Sequence, residues 1–364
     1  MLMFTLRRFG VMVITALALT FIVFYLTNLP PNLEKLAKSE ASVRMSDDQV
    51  VSWIENNGFN TPIVTRYGQW LGVLPGWTKT MEDGTIRGRC LPRGADQTVA
   101  AAAPRFCGLI QGTWGTSTVF KKPVTDVLAR GLGQTGWLML SVMLVMVPTA
   151  LLLGVLSGMR EGSRTDRILS AFAIATTATP EYVSGVIFIA VFASATTGIS
   201  PLLASWGWIE GKTLFMGTAT SAMDHITFWN FALPVMTIAL YGIGYIARMT
   251  RASMTEVMTA QYIRTARLKG VSFRQVVVRH ALRNALIAPF TVIMLQFPWL
   301  LNGVVIVETL FNYKGFGWTL VQAAGNNDIE LLLGCSVIAV FVVLVTQLIS
   351  DIGYVFLNPR IRLS

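Results

Sequence analysis

An all-α integral membrane protein with six transmembrane helices is the fold class this sequence predicts, and three observations predict it. Of 364 residues, 53% are apolar and only 13% charged, with a mean hydropathy of +0.57, whereas roughly a quarter of a soluble domain is charged. Six stretches come close to the ~20 apolar residues that a helix needs to cross lipid, where an exposed backbone finds no partner. The positive charge collects in alternate connecting segments, as it does where loops face the cytoplasm. The same numbers exclude a disordered chain, and three cysteines in this length exclude a disulfide scaffold. A net charge of +10 has its ordinary origin in those loops, so no nucleic-acid partner is expected.

The first span, 9–29, carries no charge and follows Arg7 and Arg8. It is longer than the core of a secretory signal and no small-residue cleavage site precedes Pro30, so it is expected to be retained. Residues 1–29 thus form the N-terminus and first span, and 30–133 a large outer loop. That loop is long enough for a small subdomain, with Trp53, Trp70, Trp77 and Trp114 available for its own core, and its 78–105 part, rich in Gly, Ala, Arg and Pro, reads as an insertion. Cys90 and Cys107 both fall there. An oxidising exterior permits a bridge worth roughly 3 kcal/mol between them, and both the bridged and the free reading stay open.

Residues 134–364 hold the remaining spans, at about 134–158, 168–193, 231–248, 284–308 and 331–357. Gly154 and Gly158 in the second, and Gly242 and Gly244 in the fourth, permit close helix contact, within the chain or against a second one. Glu181, after Pro180, reads as a break in the third span or as a helix-start carboxylate. A second outer loop, 194–230, carries Trp206, Trp208, Phe228 and Trp229, which suit the headgroup level. Gln296, Asn302 and Gln347, with Thr346, Ser350 and Asp351, are polar within spans: they line a wet pathway or bond across helices as glue. Cys335 reads as a small hydrophobe.

With Arg7 and Arg8 inside, the inside segments hold fifteen basic residues against Glu161, Asp166 and Glu256, and both termini face the cytoplasm. The longest inside segment, 254–283, predicts a helix, a sharp turn and a second helix. Arg264, Arg267 and Lys269 gather at the end of the first helix, Gly270 suits a left-handed terminator, and Ser272 with Gln275 forms a capping box. Tyr262, Ile263, Ala266, Leu268 and Val271 lie among the cations. The segment therefore suits either a knob in a partner's polar-rimmed groove or a basic helix on anionic headgroups.

Little supports enzymatic chemistry. The two histidines, His225 and His280, fall on opposite sides of the bilayer, and Asp224 with His225 is too small a set for a metal. No G-x-S-x-G elbow, H-E-x-x-H motif or G-x-x-x-x-G-K-[ST] phosphate loop occurs, so the chain has no such cradle for ATP. A membrane-embedded enzyme is one alternative. A gradient-driven secondary transporter is another, and it predicts inverted repeats and broken helices around a midplane site, neither of which the sequence displays clearly.

The run Gln261-Tyr262-Ile263-Arg264-Thr265-Ala266-Arg267-Leu268-Lys269-Gly270, continued by Arg279-His280-Ala281-Leu282-Arg283-Asn284-Ala285-Leu286, resembles the EAA loop of ABC-importer permeases of the dipeptide, oligopeptide and nickel group. Val307-Glu308-Thr309-Leu310-Phe311 with Gly315-Phe316-Gly317, Asn358-Pro359-Arg360-Ile361-Arg362, and Gly115-Thr116-Ser117 before Pro123-Val124 resemble further signatures of that group. Two departures are Gln261, where an acidic residue is usual, and Leu29-Pro30-Pro31-Asn32 in place of Pro-Gly-Asp. The 78–105 insertion is similar to that of the Yej-type peptide permeases, associated with oligopeptide and microcin C uptake. The resemblance implies a type I ABC-importer permease in a bacterial inner membrane, coupled to an ATPase through residues 261–267, Lys269 and Gly270. It further implies a second, related but different permease, two ATP-binding subunits that bind the ATP and Mg, and a periplasmic substrate-binding protein. No cofactor is expected on this chain itself, whose other contact is membrane lipid.

Overall fold

In the computed structural model, residues 2–81, 84–91 and 96–357 are described, without the side chains of 2–5, 97, 295, 297–302, 351 and 353–357. The first elements are α1 (Leu2–Thr27), α2 (Pro30–Glu40), α3 (Asp47–Asn56), α4 (Ile63–Leu71), β1 (Thr78–Thr80), β2 (Ile86–Gly88) and α5 (Gln97–Ala102). They are followed by α6 (Val124–Gly158), α7 (Arg164–Ala178), α8 (Glu181–Phe192), α9 (Ser200–Ser205), α10 (Phe228–Thr259), α11 (Gln261–Leu268) and α12 (Phe273–Gln275). A π-helical turn at Val276–Ala281 leads to α13 (Leu282–Ala285), α14 (Ile287–Leu310), α15 (Phe316–Gly325) and α16 (Ile329–Leu357). The strands β1 and β2 form one antiparallel hairpin, with Lys79 opposite Arg87.

Among the described residues, four helices are long and apolar enough to cross a membrane: Leu6–Thr27, Val124–Gly158, Phe228–Thr259 and Ile329–Ser350. Counting each of two bent pairs as one span gives six. The expected third span, 168–193, is not one straight helix, because α7 and α8 meet at 106°. Pro180 has no N–H to continue the ladder and pushes Thr179 into an extended conformation, φ −94° and ψ 119°; Glu181 opens α8. The fifth is prefaced by a 45° bend between Phe273–Ala285 and Ile287–Met294.

The chain divides into two compact units, residues 1–129 with 319–341 and residues 130–318 with 342–364. In the first, Phe24, Leu33, Leu36, Trp70, Ile329 and Leu333 form a buried cluster flanked by Trp53, Phe59 and Tyr67. The tryptophans of residues 30–133 therefore do not close a core by themselves: it is completed by Phe24 of α1 and by the start of α16. Trp77 lies over Gly58, where a Cβ would overlap its ring, and Trp114 is half-buried beside Gly334. Cys90 and Cys107 are joined in a disulfide. Asp328 is fully buried and ties the segment before α6 to the start of α16, accepting from Ser117 Oγ at 2.5 Å and Val119 N at 3.1 Å. Ser117→Ala should lower stability by about 1–3 kcal/mol, the usual worth of a bond to a charged group. Denaturant unfolding in micelles checks this, and an unchanged midpoint would contradict it.

In the second unit α10 is central, packing on α7, α8 and α14 with 72% of its most apolar window buried. The expected small-residue contacts are made within this chain. A Cβ on Gly154 would stand 2.6 Å from the Ala247 carbonyl, and one on Gly158 2.6 Å from that of Arg251, so α6 lies directly against α10. Gly244 is similarly close to the Ala173 carbonyl of α7.

Candidate functional site

Residues 254–283 fold as the sequence suggests in outline and differently in detail. Ala260, φ −65° and ψ 147°, takes the chain out of α10, and α11 starts at the next residue. Of its eight residues only Ile263 and Ala266, three apart on one face, are buried. They seat against Met254, Val276, Val277, Ala281 and Ala285, with Val155 and Met159 alongside. Ile263 and Ala266, expected among the partner-facing groups, thus hold the helix to its own chain. Gln261, Tyr262, Arg264, Thr265, Arg267, Lys269 and Gly270 are exposed, and Leu268 is 81% exposed.

Gly270 has φ +77°, a left-handed conformation that costs a β-branched residue heavily, and Val271 N then donates back to the Ala266 carbonyl at 3.2 Å. The expected capping box at Ser272 is absent, since its side chain makes no cap bond and α12 passes into the π turn after three residues. Phe273 instead lies between two guanidinium groups, Arg160 at 5.2 Å and Arg267 at 5.8 Å from its ring centre. Asn284 Nδ2 donates to Tyr262 Oη at 2.9 Å.

Above this platform Asp166, 3% exposed, joins α7 to α10. It accepts from Arg251 Nε at 2.5 Å and Nη2 at 2.8 Å, from Ser157 Oγ at 2.6 Å, from Gly162 N at 2.9 Å and from Ser170 Oγ at 3.1 Å. The result is an exposed cationic helix with an apolar tip, rigidly carried. Among the described residues no three His, Cys, Asp or Glu side chains converge as a metal would require.

Residues 150–363, more than half the chain, match the family of binding-protein-dependent transport system inner membrane components. The chain belongs to that family. Among proteins similar to this inner membrane component, a probable peptide ABC transporter permease, y4tP of Sinorhizobium fredii, is 33% identical over 70% of this chain and 77% of its own length. The oligopeptide transport system permease AppB of Bacillus subtilis is 27% identical over 99% of both chains. The glutathione transport system permease GsiC of Escherichia coli K12 is 30% identical over 70% of this chain and 76% of its own. As a member of this family it is a multi-pass inner membrane protein and a transporter permease subunit.

The other residues singled out from the sequence are placed less uniformly. Gln296 of this permease is buried in α14 and Gln347 exposed on α16, while the side chain of Asn302 and residues 358–362 lie outside the described residues. Ser350 Oγ donates to the Met294 carbonyl at 2.7 Å, a bond between helices. Sequence reasoning quoted Glu308 only within a motif, yet it is fully buried and organises that motif. It accepts from Thr135 Oγ1 and from Trp318 N at 3.0 Å, while Phe316 N donates to Thr135 Oγ1 at 2.8 Å. In the sequence Asp166 counts only among the inside acids and Asp328 is not singled out, yet each is likewise buried and accepts from several donors. Their common signal is an acid within or at the edge of an apolar run, which is costly unless several donors meet it.

Proposed function

We propose that this permease forms half of the translocation pathway of an ATP-driven importer for oligopeptides or peptide-like compounds, paired with a second, related permease. In this reading the chain crosses six times, each bent pair once, with both termini and residues 254–283 in the cytoplasm and 30–133 in the periplasm, where a binding protein delivers substrate. α11 is the element that docks on an ATP-binding subunit, and two such subunits bind ATP and Mg²⁺. Peptide, oligopeptide and glutathione are the cargoes in the names of its relatives, and they support a peptide-like substrate here.

The observation that carries the reading is the division of α11. Ile263 and Ala266 lock the helix to the body of the permease, while Arg264, Arg267, Leu268 and Lys269 face away. Such a helix transmits a push, and differential contact of its outer face with open and closed ATPase dimers would bias the permease between states. With cysteine at Arg267 in the assembled importer, a short bifunctional thiol reagent is expected to capture an ATPase subunit. Absence of any such product in cells that import peptide would overturn the docking assignment.

A further inference from the structure

The first compact unit holds a half-open cavity of about 250 Å³ that the transport reading does not use. Its apolar walls are aromatic, from Phe24, Trp53, Phe59, Trp70 and Trp77. Four charged side chains share the lining, Arg66 and Arg89 against Glu40 and Glu330, so the site is electrically balanced overall. They come from four separate places: α4, the turn after β2, the end of α2 and the start of α16. Arg66 Nε and Nη1, Arg89 Nε and Glu330 Oε2 are buried without a hydrogen-bond partner among the described residues. Each such group has given up its water without a bond in return, a loss that is larger when the group is charged. Burial also pushes the Arg66 guanidinium below its ordinary value. Three charged side chains, each with a buried polar atom left without a hydrogen bond, line one largely aromatic cavity, and a ligand of matching polarity would supply those bonds.

We propose that this chamber binds a small zwitterion, a free amino acid or dipeptide with an apolar or aromatic side chain. Arg66 and Arg89 take its carboxylate and Glu330 its ammonium. The charge balance selects a neutral zwitterion over a plain anion, and the aromatic walls select its side chain. The volume lies just below the usual range for ligand pockets and suits a ligand of one or two residues.

The inference also gives the 78–105 insertion a task. Arg89 lies in it, held by its N–H donating to the Trp77 carbonyl at 3.0 Å and by the neighbouring Cys90–Cys107 bridge. The insertion thus supplies one wall of the chamber.

The test uses the assembled importer in lipid nanodiscs and radiolabelled leucyl-phenylalanine in equilibrium dialysis. Saturable binding is expected, weakened at least about tenfold when either end of the dipeptide is blocked by N-acetylation or C-amidation. Arg89→Met and Glu330→Gln should each weaken the free dipeptide to a similar degree. The blocked probes need no variant, so a misfolded mutant leaves the test intact. Equal binding of free and blocked dipeptide, unaltered binding in both folded variants, or no saturable binding at all would overturn the proposal. Loss of binding-protein docking in Arg89→Met without dipeptide binding would likewise overturn it, in favour of a protein contact. Peptide uptake is measured separately in cells, so failure of the transport reading is distinguishable from failure of this one.

Discussion

Asp166→Ala is expected to destabilise the protein by about 3–5 kcal/mol, because it removes the buried half of an ion pair and leaves four donors facing a void. Arg251 is only 30% exposed in its side chain, so its guanidinium would lose two charge-assisted bonds without full access to water. Ser157, Ser170 and the Gly162 amide lose their acceptor as well. Arg251→Met should be nearly as damaging, since it leaves a carboxylate buried. The double variant Asp166→Leu with Arg251→Met should recover a good part of the loss, as apolar groups of similar volume replace a buried pair. Denaturant unfolding of the three variants in micelles measures this. A wild-type midpoint for either single variant would show that the pair is ornamental.

Gly270→Val is expected to abolish most peptide uptake while the assembled importer still hydrolyses ATP. No atom lies within 4 Å of where its Cβ would go, so the side chain has room, and the obstacle is the backbone at φ +77°. A β-branched residue there is a genuine outlier and costs on the order of 1–2 kcal/mol, which the chain relieves by swinging φ negative. That breaks the turn through which Val271 N reaches the Ala266 carbonyl and re-aims α11 relative to Phe273 and the π turn. Gly270→Asn, which tolerates the left-handed region better, should keep substantially more uptake. Uptake and ATPase rate measured on the same preparations check both variants. Equal uptake in wild type and Gly270→Val would refute the idea that the turn sets the angle of α11.

Much of this was legible in the sequence for identifiable reasons. Lipid imposes a composition on a whole stretch, so Leu6–Thr27 or Ile329–Ser350 can be read without knowing any contact. Gly270 was legible because one backbone geometry strongly favours one residue type, and Gly154 and Gly158 because only small residues admit a second backbone. What escaped depends on partners far away in the chain. The sequence leaves the side that Ile263 and Ala266 face undetermined, because either face of α11 satisfies its periodicity. Ser272 with Gln275 matches a cap locally, but Phe273 is taken up by Arg160 and Arg267. Arg66, Arg89 and Glu330 meet across more than 250 positions, and no local pattern marks them as neighbours. Pro180 announced a break but not its 106° size, which is decided by what α7 and α8 each pack against.

The close approach of α6 and α10 has a mechanical corollary. At Gly154 and again one turn later at Gly158, α6 itself offers no side chain, and Thr250 and Met254 with the Ala247 and Arg251 carbonyls of α10 come up against its backbone. Helices cushioned by leucines on both sides can slip past one another by a rotamer change, but here α6 has no rotamer to change. Displacing either helix is therefore expected to carry the other along.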